Sequence, residues 1–131
     1  MSIEQLDYSH FGRCCAIRND ETELYVTLDL GPRIICYRRR GGTNILAEIK
    51  PEGGERNPFG TWHLYGGHRL WHAPEHSPRS YIPDNEPVDL EEVCERSVRV
   101  TQTLEPVTHI RKQMLISLDP SGSRVTIDHT L

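Results

Sequence analysis

Leu24-Tyr25-Val26-Thr27-Leu28-Asp29-Leu30-Gly31-Pro32-Arg33-Ile34-Ile35-Cys36-Tyr37 is the stretch on which the fold turns. Leu24, Val26, Leu28 and Leu30 alternate with Tyr25, Thr27 and Asp29, the period of two that sends successive side chains to opposite faces of a strand. Gly31-Pro32 interrupts the run and Ile34 to Tyr37 resume it, so the segment predicts an antiparallel hairpin. Downstream, Arg38-Arg39-Arg40-Gly41-Gly42 reads as a charged turn into a short strand from Asn44 to Glu48. A loop rich in glycine, proline and charge follows from Lys50 to Gly60. Beyond the middle of the chain the same alternation returns in four segments: Val88 to Glu95, Ser97 to Leu104, Thr108 to Leu118 and Arg124 to Leu131. Val98, Val100 and Leu104 are expected on one face, and Ile110, Met114, Ile116 and Leu118 on another. Asp119-Pro120-Ser121-Gly122-Ser123 supplies the last hairpin loop. The predicted fold is all-β, an antiparallel sandwich with few helices.

The 131 residues favour a single domain over 1–131. A formal charge of -4 leaves no broad basic field for nucleic acid. No stretch approaches the roughly 18 consecutive apolar residues that a membrane-spanning helix needs. Met1-Ser2-Ile3-Glu4-Gln5-Leu6-Asp7 has neither the basic start nor the apolar run of a secretory signal, which predicts a cytoplasmic location. The four cysteines, Cys14, Cys15, Cys36 and Cys94, lack the spacing of a zinc or redox motif. They are expected to be reduced, with adjacent Cys14 and Cys15 pointing to opposite faces of a strand.

The chemistry concentrates in Gly66-Gly67-His68-Arg69-Leu70-Trp71-His72-Ala73-Pro74-Glu75-His76. Pro74, Pro78, Pro83 and Pro87 forbid a continuous helix, and the aromatic content argues against disorder, so an ordered irregular segment is expected from Trp62 to Pro87. One reading makes it a carbohydrate pocket. Trp71 offers an aromatic face to the apolar side of a sugar ring, while His68, Arg69, Glu75, Asp84 and Asn85 offer donors and acceptors for hydroxyls. A second reading takes His68, His72, Glu75 and His76 as metal ligands. Two histidines four apart in a strand lie roughly 13 Å apart, too far for one ion, so the expected site holds neither metal nor cofactor. A third reading has the same groups satisfying buried backbone carbonyls. His129 lies on the Val125, Ile127 and Leu131 face, which points inward as a satisfied core histidine or a pocket residue.

The passages Val26 to Ile35, Gly41-Gly42-Thr43-Asn44-Ile45-Leu46, Gly66 to Glu75, and Tyr81-Ile82-Pro83-Asp84-Asn85-Glu86-Pro87-Val88 resemble the opening half of galactose mutarotase-like proteins. The likeness is nearest to aldose 1-epimerase-like members. It implies a twisted supersandwich with a sugar held in a cleft by loop residues. Mutarotation needs an acid at the ring oxygen and a base at the anomeric hydroxyl. In the family a His is the usual acid and a Glu from the C-terminal half the usual base. Carried onto this chain, the resemblance implies Arg69 and His68 against the ligand, Trp71 beneath the ring, His72 beside it, and His68 and His76 as proton-transfer groups. No glutamate follows Glu105, and the final strand ends without a cap or polar tail. The chain is therefore expected to be an incomplete half, a sugar binder rather than a full epimerase. A half-sandwich would expose apolar strand edges and self-associate. The alternatives are a glycan- or partner-binding assembly module and a small His/Glu metalloprotein.

Overall fold

The structure, a computed structural model, describes residues 3–131. Its strands are β1 (Gln5–Asp7), β2 (Arg13–Arg18), β3 (Thr22–Thr27), β4 (Arg33–Arg39), β5 (Glu55–Asn57), β6 (Gly60–Trp62), β7 (His68–Arg69), β8 (Asp89–Cys94), β9 (Ser97–Thr101), β10 (Gln113–Leu118) and β11 (Val125–Thr130). One 3-10 turn, Arg79–Tyr81, is the only helical element among the described residues. Two antiparallel sheets result, in the orders β1-β2-β3-β4-β7 and β11-β10-β9-β8, with β5 and β6 forming a separate hairpin. The fold is all-β and sandwich-like, and among the described residues no helix is long and apolar enough to cross a membrane.

The Leu24-to-Tyr37 stretch forms the predicted hairpin, β3 pairing with β4 across Leu24↔Tyr37 and Tyr25↔Cys36 before a bulge re-registers Val26 opposite Ile34. Its alternation separates two cores. Leu24, Val26, Leu28 and Ile34 face the second sheet and pack with Val98, Val100, Met114, Ile116 and Leu118. Tyr25, Leu30, Ile35 and Cys36 face the other way, against Phe11 and Tyr65. The first sheet is therefore buried on both sides, which explains why β3 has no exposed position at all. Cys14 and Cys15 divide between the two cores as their adjacency predicts, and all four cysteines are free.

Several predicted elements are corrected. Val98 and Val100 were expected on a different face from Met114 and Ile116, yet they share one core. Val98 lies directly opposite Ile116 and Val100 opposite Met114, and side chains opposite one another on paired strands point the same way. Leu104 and Ile110 fall outside the strands, and Leu104 is 47% exposed. Asn44 to Glu48 makes only the isolated bridge Glu48↔Gly66. There the Asn44 side chain replaces a strand: its carboxamide oxygen accepts from the Tyr37 and Leu46 amides, and its nitrogen donates to the Ile35 carbonyl. The Lys50-to-Gly60 loop contains β5 and the start of β6.

Polar clasps bind the sheets at their ends. Asn19, buried in the β2–β3 turn, donates to the carbonyls of Asp119 and Gly122 in the β10–β11 loop, both at 2.9 Å. Thr22 donates to the same Gly122 carbonyl, and Glu21 accepts from the Gly122 amide. At the opposite edge the Ile3 amide donates to Glu92 of β8.

Candidate functional site

The Gly66-Gly67 pair sets the position of everything that follows. Both residues have positive φ, 87° and 70°, a region that L side chains rarely adopt. A side chain at Gly66 would strike the Ala47 carbonyl, and one at Gly67 the Ile34 carbonyl. Only glycine lets the chain lie this close to β4, where Arg69 then pairs with Arg33 and His68 with Ile34.

Arg69 is the centre of an aromatic clamp. Its guanidinium carbon stands 4.1 Å from the Trp71 ring centroid and 5.4 Å from that of Trp62, within the range of a cation–π interaction. Tyr81 meets both indoles edge-on, with centroids at 5.1 and 5.5 Å. The Trp71 indole N–H donates to the Ser80 carbonyl, which fixes that ring. Arg69 is half-buried, and burial first, then the Arg33 charge, weakens its hold on its proton. Every other arginine of the described residues that is not exposed pairs with a carboxylate or donates to a carbonyl: Arg18, Arg33, Arg38, Arg79, Arg96 and Arg99. Arg69 has no such partner.

Below the clamp Arg33 and Asp84 form a buried ion pair at 2.6 Å. Arg33 also donates to the Gly66 carbonyl and lies over the Tyr65 ring. One oxygen of Asp84 and the Nε of Arg33 have no hydrogen-bond partner. Asn85 accepts from the Tyr65 hydroxyl at 2.5 Å and donates to the Thr61 carbonyl. Asp84 and Asn85, expected to meet a ligand's hydroxyls, are thus engaged in holding the loop to the sheet.

The remaining predicted residues separate. Glu75 accepts from the Tyr81 hydroxyl. The His76 amide donates to Ser80 Oγ, and the same hydroxyl donates back to the His76 carbonyl, closing the 76–80 turn with the His76 ring exposed. His72 is 6% exposed, and neither ring nitrogen has a partner. Burial, then the Lys112 charge, hold it below the ordinary imidazole value, with Glu105 opposing. Lys112 and Glu105 are themselves a buried pair. His68 meets His129 instead of another loop histidine, their Nε2 atoms 2.9 Å apart. His129 is not a core histidine: it lies exposed on the inward face of the edge strand β11. Among the described residues no three His, Cys, Asp or Glu side chains gather closely enough to hold a metal.

Two concavities border this arrangement. One, about 560 Å³, is lined by Phe59, Thr61, Ile82, Pro83, Asn85 and Glu86, a volume within the range of small-molecule sites. The other, about 210 Å³ and largely apolar, opens between the sheets at Tyr37, Leu46, His68, Val125 and Ile127.

Arg33 and Tyr81 are the contributors that the sequence reading does not place, whereas Trp62, like Trp71, is expected there as core or platform. For Arg33 a signal existed: an arginine set among Leu28, Leu30, Ile34 and Ile35 must be buried and needs an anion. The sequence does not disclose that the anion comes from Asp84, 51 residues away. Comparison with protein-family models, curated proteins and solved structures finds no match.

Proposed function

We propose that this chain is a carbohydrate-binding protein of the galactose mutarotase-like, aldose 1-epimerase-like kind, taking a sugar against the 66–86 segment. The observation that carries the reading is Arg69: half-buried, stacked on Trp62 and Trp71, and without an acceptor for its side-chain N–H groups among the described residues. Its N–H groups reach solvent and are free to donate to a ligand, while the stacked rings hold the guanidinium in place. A sugar offers hydroxyl oxygens to the guanidinium edge and a C–H face to the exposed part of Trp71. A concavity at Phe59, Thr61, Asn85 and Glu86, which neither Arg69 nor Trp71 lines, has the size and the mixed lining for a monosaccharide.

For mutarotation, His68 is the proton-transfer group of this reading, with His76 on the exposed 76–80 turn the second expected from the resemblance. His68 Nε2 shares a hydrogen with His129, so it exists as donor or acceptor at little cost. Polarimetry of freshly dissolved aldoses, together with saturation-transfer NMR, tests the proposal. Binding and faster mutarotation, both reduced by Arg69→Ala and the latter by His68→Ala, are expected. Binding without acceleration leaves recognition standing and removes catalysis, and no contact with any aldose removes both.

A second reading, self-association, is favoured by the free edge of β11 beside the apolar opening at Val125 and Ile127. Such an edge recruits another strand unless blocked. Sedimentation would show a dimer, and a monomer at every concentration would remove this reading.

A further inference from the structure

His68 belongs to β7 and His129 to β11, the edge strands of opposite sheets, and the two residues are 61 positions apart. Their rings nevertheless converge on one point. Each backbone is fixed by pairing, His68 opposite Ile34 and His129 opposite Met114, so the strands themselves aim the imidazoles at each other. Asp128 turns to the outer surface by alternation, and the inner wall is Ile34, Leu46 and Ile127. The pair is reachable from solvent, His129 being exposed and His68 half-buried.

We propose that His68 and His129 form a two-imidazole site for a borderline transition-metal cation of the Zn2+, Cu2+ or Ni2+ class, which clips the two sheets together at this edge. Metal–nitrogen bonds of about 2.0–2.1 Å, at angles between square-planar and tetrahedral, put two ligand nitrogens roughly 2.9–3.4 Å apart. The observed 2.9 Å lies at the near end of that range. The ring centroids stand 5.2 Å apart, so the two Nε2 atoms point head-on at each other. Entry of the cation requires both rings to turn until their lone pairs meet on it, as well as to part by about half an ångström. The imidazole that now donates its Nε2 hydrogen carries it on Nδ1 instead, so the neutral pair gains the metal without losing a net proton. No third protein ligand stands by among the described residues, and water completes the coordination sphere. Hard cations are excluded by the nitrogen donors. The site shares His68 with the sugar reading, but metal binding is tested without any sugar and stands or falls separately.

The test is titration of the full chain with zinc, nickel and copper sulfate, read by melting temperature and, for Cu2+, by electron paramagnetic resonance. One equivalent should raise the melting temperature. His68→Ala and His129→Ala should each weaken binding at least about tenfold, since each removes one of two ligands, while His76→Ala and His109→Ala leave it unchanged. The Cu2+ spectrum of the unmodified chain should carry coupling to two imidazole nitrogens, which keeps the test decisive if a variant does not fold. Unchanged melting with all three metals, an equal response to magnesium, coupling to a single nitrogen, or full binding by His129→Ala would each overturn the proposal.

Discussion

Arg33 and Asp84 meet at 2.6 Å with side chains 1% and 9% accessible, tying the first strand after the Gly31-Pro32 turn to the far end of the 66–86 segment. The Gly31 amide also donates to the Asp84 carbonyl, so backbone and side chain hold the same junction. Asp84→Asn should remove the only carboxylate that neutralises a fully buried guanidinium. The expected loss in urea unfolding is about 3–5 kcal/mol, the range for stranding one partner of a buried pair. A loss below about 1 kcal/mol, typical of exposed pairs, would mean that Arg33 finds water or another acceptor.

Met114 is fully buried and packs in the cluster shared by the two sheets, opposite Val100. Met114→Ala should cost about 2–5 kcal/mol through lost burial and a residual cavity. Leu104→Ala, at a position 47% exposed, should change stability by about 0.5 kcal/mol or less. Equal effects at the two sites would contradict the placement of the core.

Asn19 satisfies four backbone groups from one buried side chain, accepting from the Glu21 and Thr22 amides and donating to the Asp119 and Gly122 carbonyls. Asn19→Ala should destabilise by about 1–3 kcal/mol, the cost of leaving buried polar groups unmet. Amide exchange should quicken at Glu21 and Thr22, whose N–H groups lose the Asn19 acceptor, before it does in the rest of β3. Protection unchanged at these amides would show that the clasp carries no weight.

His68 and His72 both have proton affinities lowered by burial, with His129 and Lys112 respectively adding to the effect. Below the ordinary imidazole value of about 6.5, the unfolded chain binds protons that the folded chain resists. The stability these residues contribute is therefore present above that pH and is lost as the pH falls through their lower folded values. Imidazole C–H resonances followed by NMR should show both midpoints below 6.5. A midpoint for either residue above that value contradicts its burial.

Much of the fold was legible because it rests on a period of two. Leu24 to Leu30, Val98 to Val100 and Met114 to Leu118 carry one face each to the core, and any reader of alternation reaches them. The two-sided burial of the first sheet was less legible, since Tyr25, Cys36 and Tyr65 gather by topology. Asn44 misled because an asparagine side chain can serve a strand edge without its backbone doing so. In the site, the glycine pair, Arg69 and Trp71 were readable as an aromatic and cationic centre. Asp84, Asn85 and Glu75, expected as ligand contacts, each also have a protein partner, which the sequence does not disclose, since a hydrogen-bonding side chain looks the same whether it meets a sugar or its own fold. The His68–His129 pair was invisible for the same reason that Arg33–Asp84 was. Its members lie in different sheets, and only the packing of those sheets brings them together.

The most direct test of the sugar reading is an amide and indole NMR titration of the isotope-labelled chain with a panel of aldoses. Only two indole signals arise, from Trp62 and Trp71, and both rings flank Arg69. The account predicts a dispersed spectrum in which the Trp71 indole shifts with at least one aldose and the shift disappears in Arg69→Ala. A dispersed spectrum in which neither indole responds to any aldose would contradict it.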